Sequence, residues 1–435
     1  MRILLLDSMA ACQEIGIRAQ DWGHQVRYWH PTSDAVGKGL LQRVEDWESA
    51  MKWADLILPT DNAKFIGKLE KYFDQGYPIF GCNAAAARLE LDRNYGQEIL
   101  KKVGVATLPY QEFDNYDTAI AYVKETGKAY AVKPRGDADK ALSFVAKSAK
   151  GLMFKLGRWK EEGKVGKNVE FVLQKAVKGI EMAVGGWFGP EGWSKWKCEN
   201  FEEKKFMSGG LGVNTGEQGT VLRYVKDSKL FEQVLAPVTQ ILHAMGYVGY
   251  VDMNCIIDPK TGIPWPLEFT MRFGWPLVYI QMALHRGDPV EWMADMLEGR
   301  DTLRVSEDVS VGLVLSHGDY PNKAVTVKEN SGYPLYGTGK NRDSIWFTDV
   351  AMGKAPDDNL QLVEMPVTAG NLVAVATGTG ETVAKAAAKA YAVIDGIESP
   401  TNLQYRDDIG ERLMGQLPDL KKWGFAKGLM YGTAD

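Results

Sequence analysis

Residues 250–276, YVDMNCIIDPKTGIPWPLEFTMRFGWP, have few ways to fold other than back on themselves. Val251 to Ile257 is rich in β-formers, Asp258-Pro259-Lys260-Thr261-Gly262 is turn chemistry, and Trp265 to Phe273 returns as a second strand. Pro264 and Pro266 stand where the return strand begins, a place that tolerates a missing N–H. Side chains alternate faces along a strand, so Asp252 and Asn254 share a face, as do Glu268, Thr270 and Arg272. The two sets meet on one face only if opposed residue numbers have an even sum, which requires an odd-length loop or a bulge. With that register, oxygen ligands and a guanidinium line one wall, as a hard cation such as Mg²⁺ or Mn²⁺ requires. The hairpin alone leaves a second reading open, in which Asp252 and Glu268 are ordinary strand carboxylates paired with lysines.

The rest of the chain sets the context. Its 435 residues suffice for two to four subdomains with buried cores, and 45% hydrophobic with 25% charged residues fits a soluble globular protein. A net charge of −5 argues against a general nucleic-acid binder. Cys12, Cys82, Cys198 and Cys255 show no C-x-x-C spacing, and five scattered histidines suggest no zinc site. No apolar stretch approaches membrane-span length, and the expected compartment is a reducing cytoplasm.

Residues 1–108 read as an N-terminal α/β unit with a doubly wound sheet, with strands at Ile3–Leu6, 25–29, 56–58 and 79–80 and a helix around 11–22. Ligands of such sheets sit beyond strand carboxyl ends, here the loops beginning Asp7-Ser8 and Pro59-Thr60-Asp61-Asn62. A single helix is predicted over 83–102, capped by Asn83. Residues 109–309 form the central unit, with a lid over about 116–186. In the lid, the strand AYAVKP carries Lys133, which needs a partner if buried, and a small polar loop from Arg135 to Ala141 follows. Ser208 to Gly219, SGGLGVNTGEQG, reads as a glycine-rich loop, either close to an anion or simply flexible. Amphipathic helices are predicted over 229–245 and 279–296. A C-terminal α+β piece, 310–435, has strands at 310–316 and 371–376 and an alanine-rich helix at 381–395.

A strand lysine, then Gln-Lys-x-x-x-Gly-x-Glu at a strand end, a glycine-rich stretch and the acidic hairpin with Arg272 follow in the order of the ATP-grasp enzymes, and the chain resembles them. Within that superfamily it is most similar to the phosphoribosylamine–glycine ligase family of purine biosynthesis. FGCNAAAARLELDR resembles FGPTAxAAxLExSK, VNTGEQG resembles PNTGGMG, and LEFTMRFGWP resembles IEFNxRFGDPE. SVGLVLSHGDYP and YRDDIG also find counterparts, so the likeness spans nearly the whole chain.

The resemblance implies a central ATP-grasp domain and an ATP- and Mg²⁺-dependent amide-forming ligase that releases ADP and phosphate through an acyl phosphate. By resemblance, Lys133 and Lys140 would contact the ATP phosphates, with Arg93 near them. Gln174, Lys175 and the backbone at Val177 would hold adenine, and Glu181 the ribose. Glu268 with Thr270 and Asp252 would hold metal. Arg272 and Lys133 would stabilise the phosphoryl group in flight, and Ser8, Asn62, Asn214, Thr215 and Gly216 would face the substrates. Those are expected to be a small carboxylate, glycine or another amino acid, and an amine; the chain would be a monomer or homodimer, with no nucleic-acid or membrane partner.

Departures cluster at the amine end. The family's Gly-Gly-Arg-Glu-His loop is Ser8 to Glu14 here, its Gly-Pro-Glu is Pro59 to Asn62, its metal-binding Asn is Thr270, and a usual lysine is Arg93. Trp275 and Leu277 stand where acids are usual. The ATP half is expected to be retained and the amine half altered. One alternative is an authentic ligase of that family with an unusual phosphate loop; the other is a nucleotide-binding module without turnover.

Overall fold

The structure is a computed structural model that describes residues 1–31, 35–134, 144–163, 170–322 and 329–432. Its first layer is a parallel sheet in the order Gln42–Arg43, Gln25–Trp29, Arg2–Leu6, Leu56–Pro59, with Ile79 bridged to Ile57. The apolar run at the start is covered on both faces, as expected. Ile3 and Leu5 pack with Ile15 and Ala19 of the helix Gln13–Asp21. Leu4 and Leu6 pack on the other face with Phe65 and Leu69. Each such fully buried side chain contributes about 1.5–3 kcal/mol. Leu6 lies opposite Pro59, so the loops that follow the two strands emerge side by side.

The helix predicted over 83–102 is two helices, Ala84–Leu91 and Arg93–Lys102. Asp92 breaks it at φ −110° and ψ 88°, and its carboxylate caps the second helix by accepting from the Tyr95 N–H at 3.1 Å. A short acidic side chain that can bond nearby backbone favours such a cap over a helix interior. The break leaves Glu90 and Arg93 at the junction.

The lid has a sheet in the order Tyr110–Phe113, Phe171–Lys175, Tyr130–Pro134, Phe144–Val145, under the helices Tyr116–Thr126 and Ala149–Glu161. Val123, Leu152, Leu156, Trp159, Phe171 and Leu173 give it a core of its own. Ile180–Gly189 already belongs to the central sheet. Lys140 and the rest of the predicted 135–141 loop lie outside the described residues.

The central sheet has eight strands, ordered Pro264–Thr270, Gly249–Ile257, Ile180–Gly189, Gly192–Met207, Leu211–Val225, Val309–Ser316, Leu372–Gly380, Ile345–Phe347. The C-terminal strands thus continue the sheet that carries the hairpin. A three-stranded sheet of Ser331–Pro334, Leu362–Ala369 and Val350–Pro356 stands beside it. The glycine-rich stretch is not a loop: Ser208–Gly210 is a turn, and Leu211–Val225 pairs with Gly192–Met207. Gly209 and Gly210, at φ 69° and 68°, supply the left-handed backbone of that turn. The two long helices are also corrected. Pro237 divides the first into Lys229–Val234, Ala236–Val238 and Thr239–Ala244, because proline cannot donate within a helix. The second is Leu277–Met282 and Glu291–Leu297, interrupted around Gly287 and Pro289. Among the described residues, no helix is long and apolar enough to cross a membrane.

Candidate active site

The parity condition is met by a bulge. Asp252 lies opposite Thr270 and Asn254 opposite Glu268; the register then shifts, so that Cys255 faces Pro266. The carbonyls at the shift are held by Gln97, whose side-chain amide donates to Leu267 at 3.2 Å and Pro266 at 3.4 Å. The helix Arg93–Lys102 thereby braces the irregularity that puts Asp252, Asn254, Glu268 and Thr270 on one face.

The same face continues across neighbouring strands. Asn254 lies opposite Ala183, and Ala183 opposite Asn200, so Asn200, Glu202 and Lys204 share the wall by alternation. Asp252 is buried, and its Oδ1 accepts from Asn200 Nδ2 at 2.9 Å and from the Tyr250 hydroxyl at 3.0 Å. Gly185 makes room for this arrangement: a Cβ there would lie 2.6 Å from Asp252 Oδ1. Burial, reinforced by Glu202, pushes the Asp252 pKa up to about 7. Glu217 is also buried and pushed up, by burial first and by Glu202 next. Burial pulls the Lys204 pKa down, but Glu202 and Glu268 outweigh it and the net shift is upward. Asp252 is therefore not an ordinary exposed strand carboxylate.

Glu268 forms an ion pair with Arg93, the first residue of its helix. Lys133 reaches the same place from the lid. Its pKa is lowered to about 7 by burial and by Arg93, with Glu268 pulling it up and Lys204 pushing it down. Lid lysine and hairpin carboxylate are therefore near enough to feel one another's charge. Glu90, Arg93, Gln97, Leu267 and Glu268 line a crevice at the hairpin.

Arg272 donates through Nε to Glu90 Oε1 at 3.1 Å. Glu90 Oε2 accepts from Asn62 Nδ2 and from the Met271 N–H, both at 2.7 Å. Ser8 donates to Asp61, next to Asn62. Glu90 thus joins Asn62 to Arg272, and Ser8 stands beside them through Asp61. Gln174 is buried at the end of a lid strand; Lys175 is exposed, and its N–H donates to the Pro109 carbonyl at 2.9 Å. Val177 is half-buried and Glu181 exposed, between lid and central sheet. Asn214 lies opposite Lys205, Thr215 donates to the Lys204 carbonyl at 3.0 Å, and Gly216 is exposed. These three sit on a hairpin arm beside Lys204.

The donor chemistry suits a hard cation. Asn200 Oδ1 is buried without a hydrogen-bond partner, beside an Asp252 carboxyl that burial holds near neutrality. Among the described residues no three His, Cys, Asp or Glu side chains converge as a metal cage. A nucleotide-bound Mg²⁺ needs only one or two carboxylates, with phosphate and water completing its shell. Glu90, Asn200, Glu202, Lys204 and Glu217 escaped the sequence reading. The i, i+2, i+4 pattern of Asn200, Glu202 and Lys204 was the available signal.

Residues 91–277 match the family model described as phosphoribosylglycinamide synthetase, ATP-grasp (A) domain. Phosphoribosylamine–glycine ligase of Salmonella typhimurium is 28% identical over 365 residues, covering 80% of this chain and 80% of that protein. Among solved structures, phosphoribosylamine–glycine ligase of Thermotoga maritima matches with a TM-score of 0.73 at 21% identity, over 94% of this chain and 100% of that one. The biotin carboxylase domain of Hydrogenobacter thermophilus 2-oxoglutarate carboxylase matches at 0.63 and 13% identity, over 98% and 99%. At such identities the structural likeness speaks for the fold.

Proposed function

We infer, from residues 91–277 being an ATP-grasp domain similar to that of phosphoribosylglycinamide synthetase, that the protein is an ATP-dependent carbon–nitrogen ligase with an altered amine site. The observation that carries this reading is the approach of Lys133 from the lid to the ion pair between Arg93 and the hairpin's Glu268, whose charges act on it. In the reaction, a substrate carboxylate oxygen attacks the terminal phosphorus of ATP; the bridging P–O bond breaks and ADP leaves. The amine nitrogen then attacks the acyl carbon, phosphate departs, and the nitrogen loses a proton.

Phosphoryl transfer of this kind depends on positioning and charge neutralisation. Lys133 holds the nucleotide phosphates as a point charge, with Lys140 covering them. Arg93 keeps Glu268 oriented, and Arg272, steadied by Glu90, faces the transferred group. Gln174, Lys175 and Val177 meet adenine, and Glu181 meets ribose. Glu268, Thr270 and Asp252 would hold Mg²⁺ or Mn²⁺, which would supply positive charge to the phosphate oxygens. Asn214, Thr215 and Gly216 border the carboxylate from the hairpin arm. The lid excludes water that would hydrolyse an acyl phosphate.

ADP release in a panel of amino acids and amines tests the assignment. The expected result is ADP and phosphate formed together only when both a carboxylate and an amine are present. ATP turnover indifferent to both would refute it. The second reading, phosphoribosylamine and glycine as the substrates, draws on the likeness to the Salmonella enzyme over 80% of this chain.

A further inference from the structure

The loop after the first strand is built like an anion nest, and the chain fills it with its own carboxylate. Asp7 is fully buried. Its Oδ1 accepts from the Ala11 N–H at 3.0 Å, the Met9 N–H at 3.4 Å and the Thr60 hydroxyl at 3.1 Å. Its Oδ2 accepts from the Cys12 N–H at 2.8 Å and the Tyr28 hydroxyl at 3.2 Å. All five partners donate to the carboxyl oxygens, the Thr60 hydroxyl shared with the Leu6 carbonyl at 3.2 Å. Ala10 adopts φ 56°, the left-handed backbone that turns successive N–H groups toward one point. An alanine there carries a steric cost that glycine would not, so the turn itself is held by what it encloses.

The neighbouring carboxylates are engaged too. Glu14, two residues past Cys12, is fully buried and takes Arg342 at 2.7 Å, Arg18 at 3.1 Å and the Phe347 N–H at 3.1 Å. Asp61 in the adjoining loop accepts from the Ala63 and Lys64 N–H groups at 2.8 Å and from Ser8. Backbone donors that would cradle a phosphate in either loop already serve carboxylates. Arg272, whose charge reaches Cys12, is paired with Glu90.

We propose that Asp7 sets the acceptor class of the ligase: by filling the nest of the Ser8–Cys12 loop it excludes phosphate-bearing amines and leaves the site to an amine without a phosphate. This rests on the ligase reading above and adds the identity of the acceptor's missing group. Burial raises the Asp7 pKa, so the exclusion rests on occupancy rather than on charge: a phosphate here would find the Met9, Ala11 and Cys12 N–H groups and the Thr60 and Tyr28 hydroxyls already engaged.

The test is calorimetric titration of ribose 5-phosphate into the full-length protein saturated with a non-hydrolysable ATP analogue and Mg²⁺. The expected result is no saturable binding up to about 10 mM, and a gain of binding of at least about tenfold in Asp7→Gly. Saturable binding to the unsubstituted protein below that concentration overturns the proposal. So does a folded Asp7→Gly protein that still refuses the sugar phosphate. If Asp7→Gly does not fold, Asp7→Ala, which frees the same donors, is titrated in its place and read against the same two outcomes. Binding of the ATP analogue, measured first in the same cell, reports on the ligase reading separately: its failure removes that reading, whereas sugar-phosphate binding on top of it removes only the role of Asp7.

Discussion

Glu268→Gln is expected to lower ADP-forming turnover by about a thousandfold, the scale seen when a group stabilising developing charge is removed. The substitution keeps shape and hydrogen bonding while deleting the charge that faces Arg93 and Lys133. It also removes the carboxylate that stands at the hairpin bulge, where the register brings it onto the Asp252 face. The fold should survive, because the Glu268 side chain is 38% exposed and its ion pair contributes little to stability. Turnover at each Mg²⁺ concentration, with far-ultraviolet circular dichroism as a control, measures the effect. Full activity in Glu268→Gln would mean that the hairpin does not serve phosphoryl transfer.

Lys133→Met should weaken ATP binding by about 10–100-fold, the loss of a charge-assisted contact of about 1.5–3 kcal/mol. A proton signature should disappear with it. In the free protein burial and Arg93 hold the Lys133 pKa at about 7, so above that pH the amine is largely neutral. Polyphosphate favours the ammonium form, so nucleotide binding at pH 8 draws a proton from solution; well below pH 7 the lysine is already charged and this uptake vanishes. Titrations in buffers of different ionisation enthalpy read the proton count directly.

The stability consequence has the opposite sense from the usual lysine ion pair. The folded pKa lies below the unfolded one, so the unfolded chain binds more protons between about 7 and 10.5. Stability from this group therefore rises with pH across that window, and its cost is fully present below pH 7. Lys133→Met should stabilise the free protein at pH 6 by on the order of 1–5 kcal/mol while it impairs nucleotide binding. Equal ATP affinity and equal proton uptake in the variant would remove Lys133 from the phosphate site.

Much of the architecture was legible because local signals agreed. Ile3–Leu6 is apolar at every position, and a strand buried on both faces needs that. The hairpin was legible in a sharper way: the sequence posed a parity condition, and the bulge after Asn254 met it. What escaped was decided by contacts distant in the chain. Asp92 ends a helix whose alanines favour continuation, and the gain is the placement of Glu90 against Asn62 and Arg272. No local pattern reports that gain. Gly209 and Gly210 suggested a loop, yet two glycines are what a tight turn between long strands requires. The strands Val350–Pro356 and Leu362–Ala369 went unread because Gly353, Pro356 and Pro366 interrupt their β-forming runs. Asn200, Glu202 and Lys204 look like surface residues until neighbouring strands bury the first and half-bury the other two. The altered loop at Ser8–Glu14 was visible as missing glycines, but only the folded chain brings the Asp7 carboxyl group among its N–H groups.

The most direct measurement is a double-substitution cycle on the affinity for the ATP analogue with Mg²⁺, using Lys133→Met, Glu268→Gln and their combination. If the lid lysine and the hairpin carboxylate grip one nucleotide tail, the two losses are non-additive by at least about 1 kcal/mol, as for residues sharing a ligand. Losses that add within about 0.3 kcal/mol would place the two groups at independent sites and contradict a shared one.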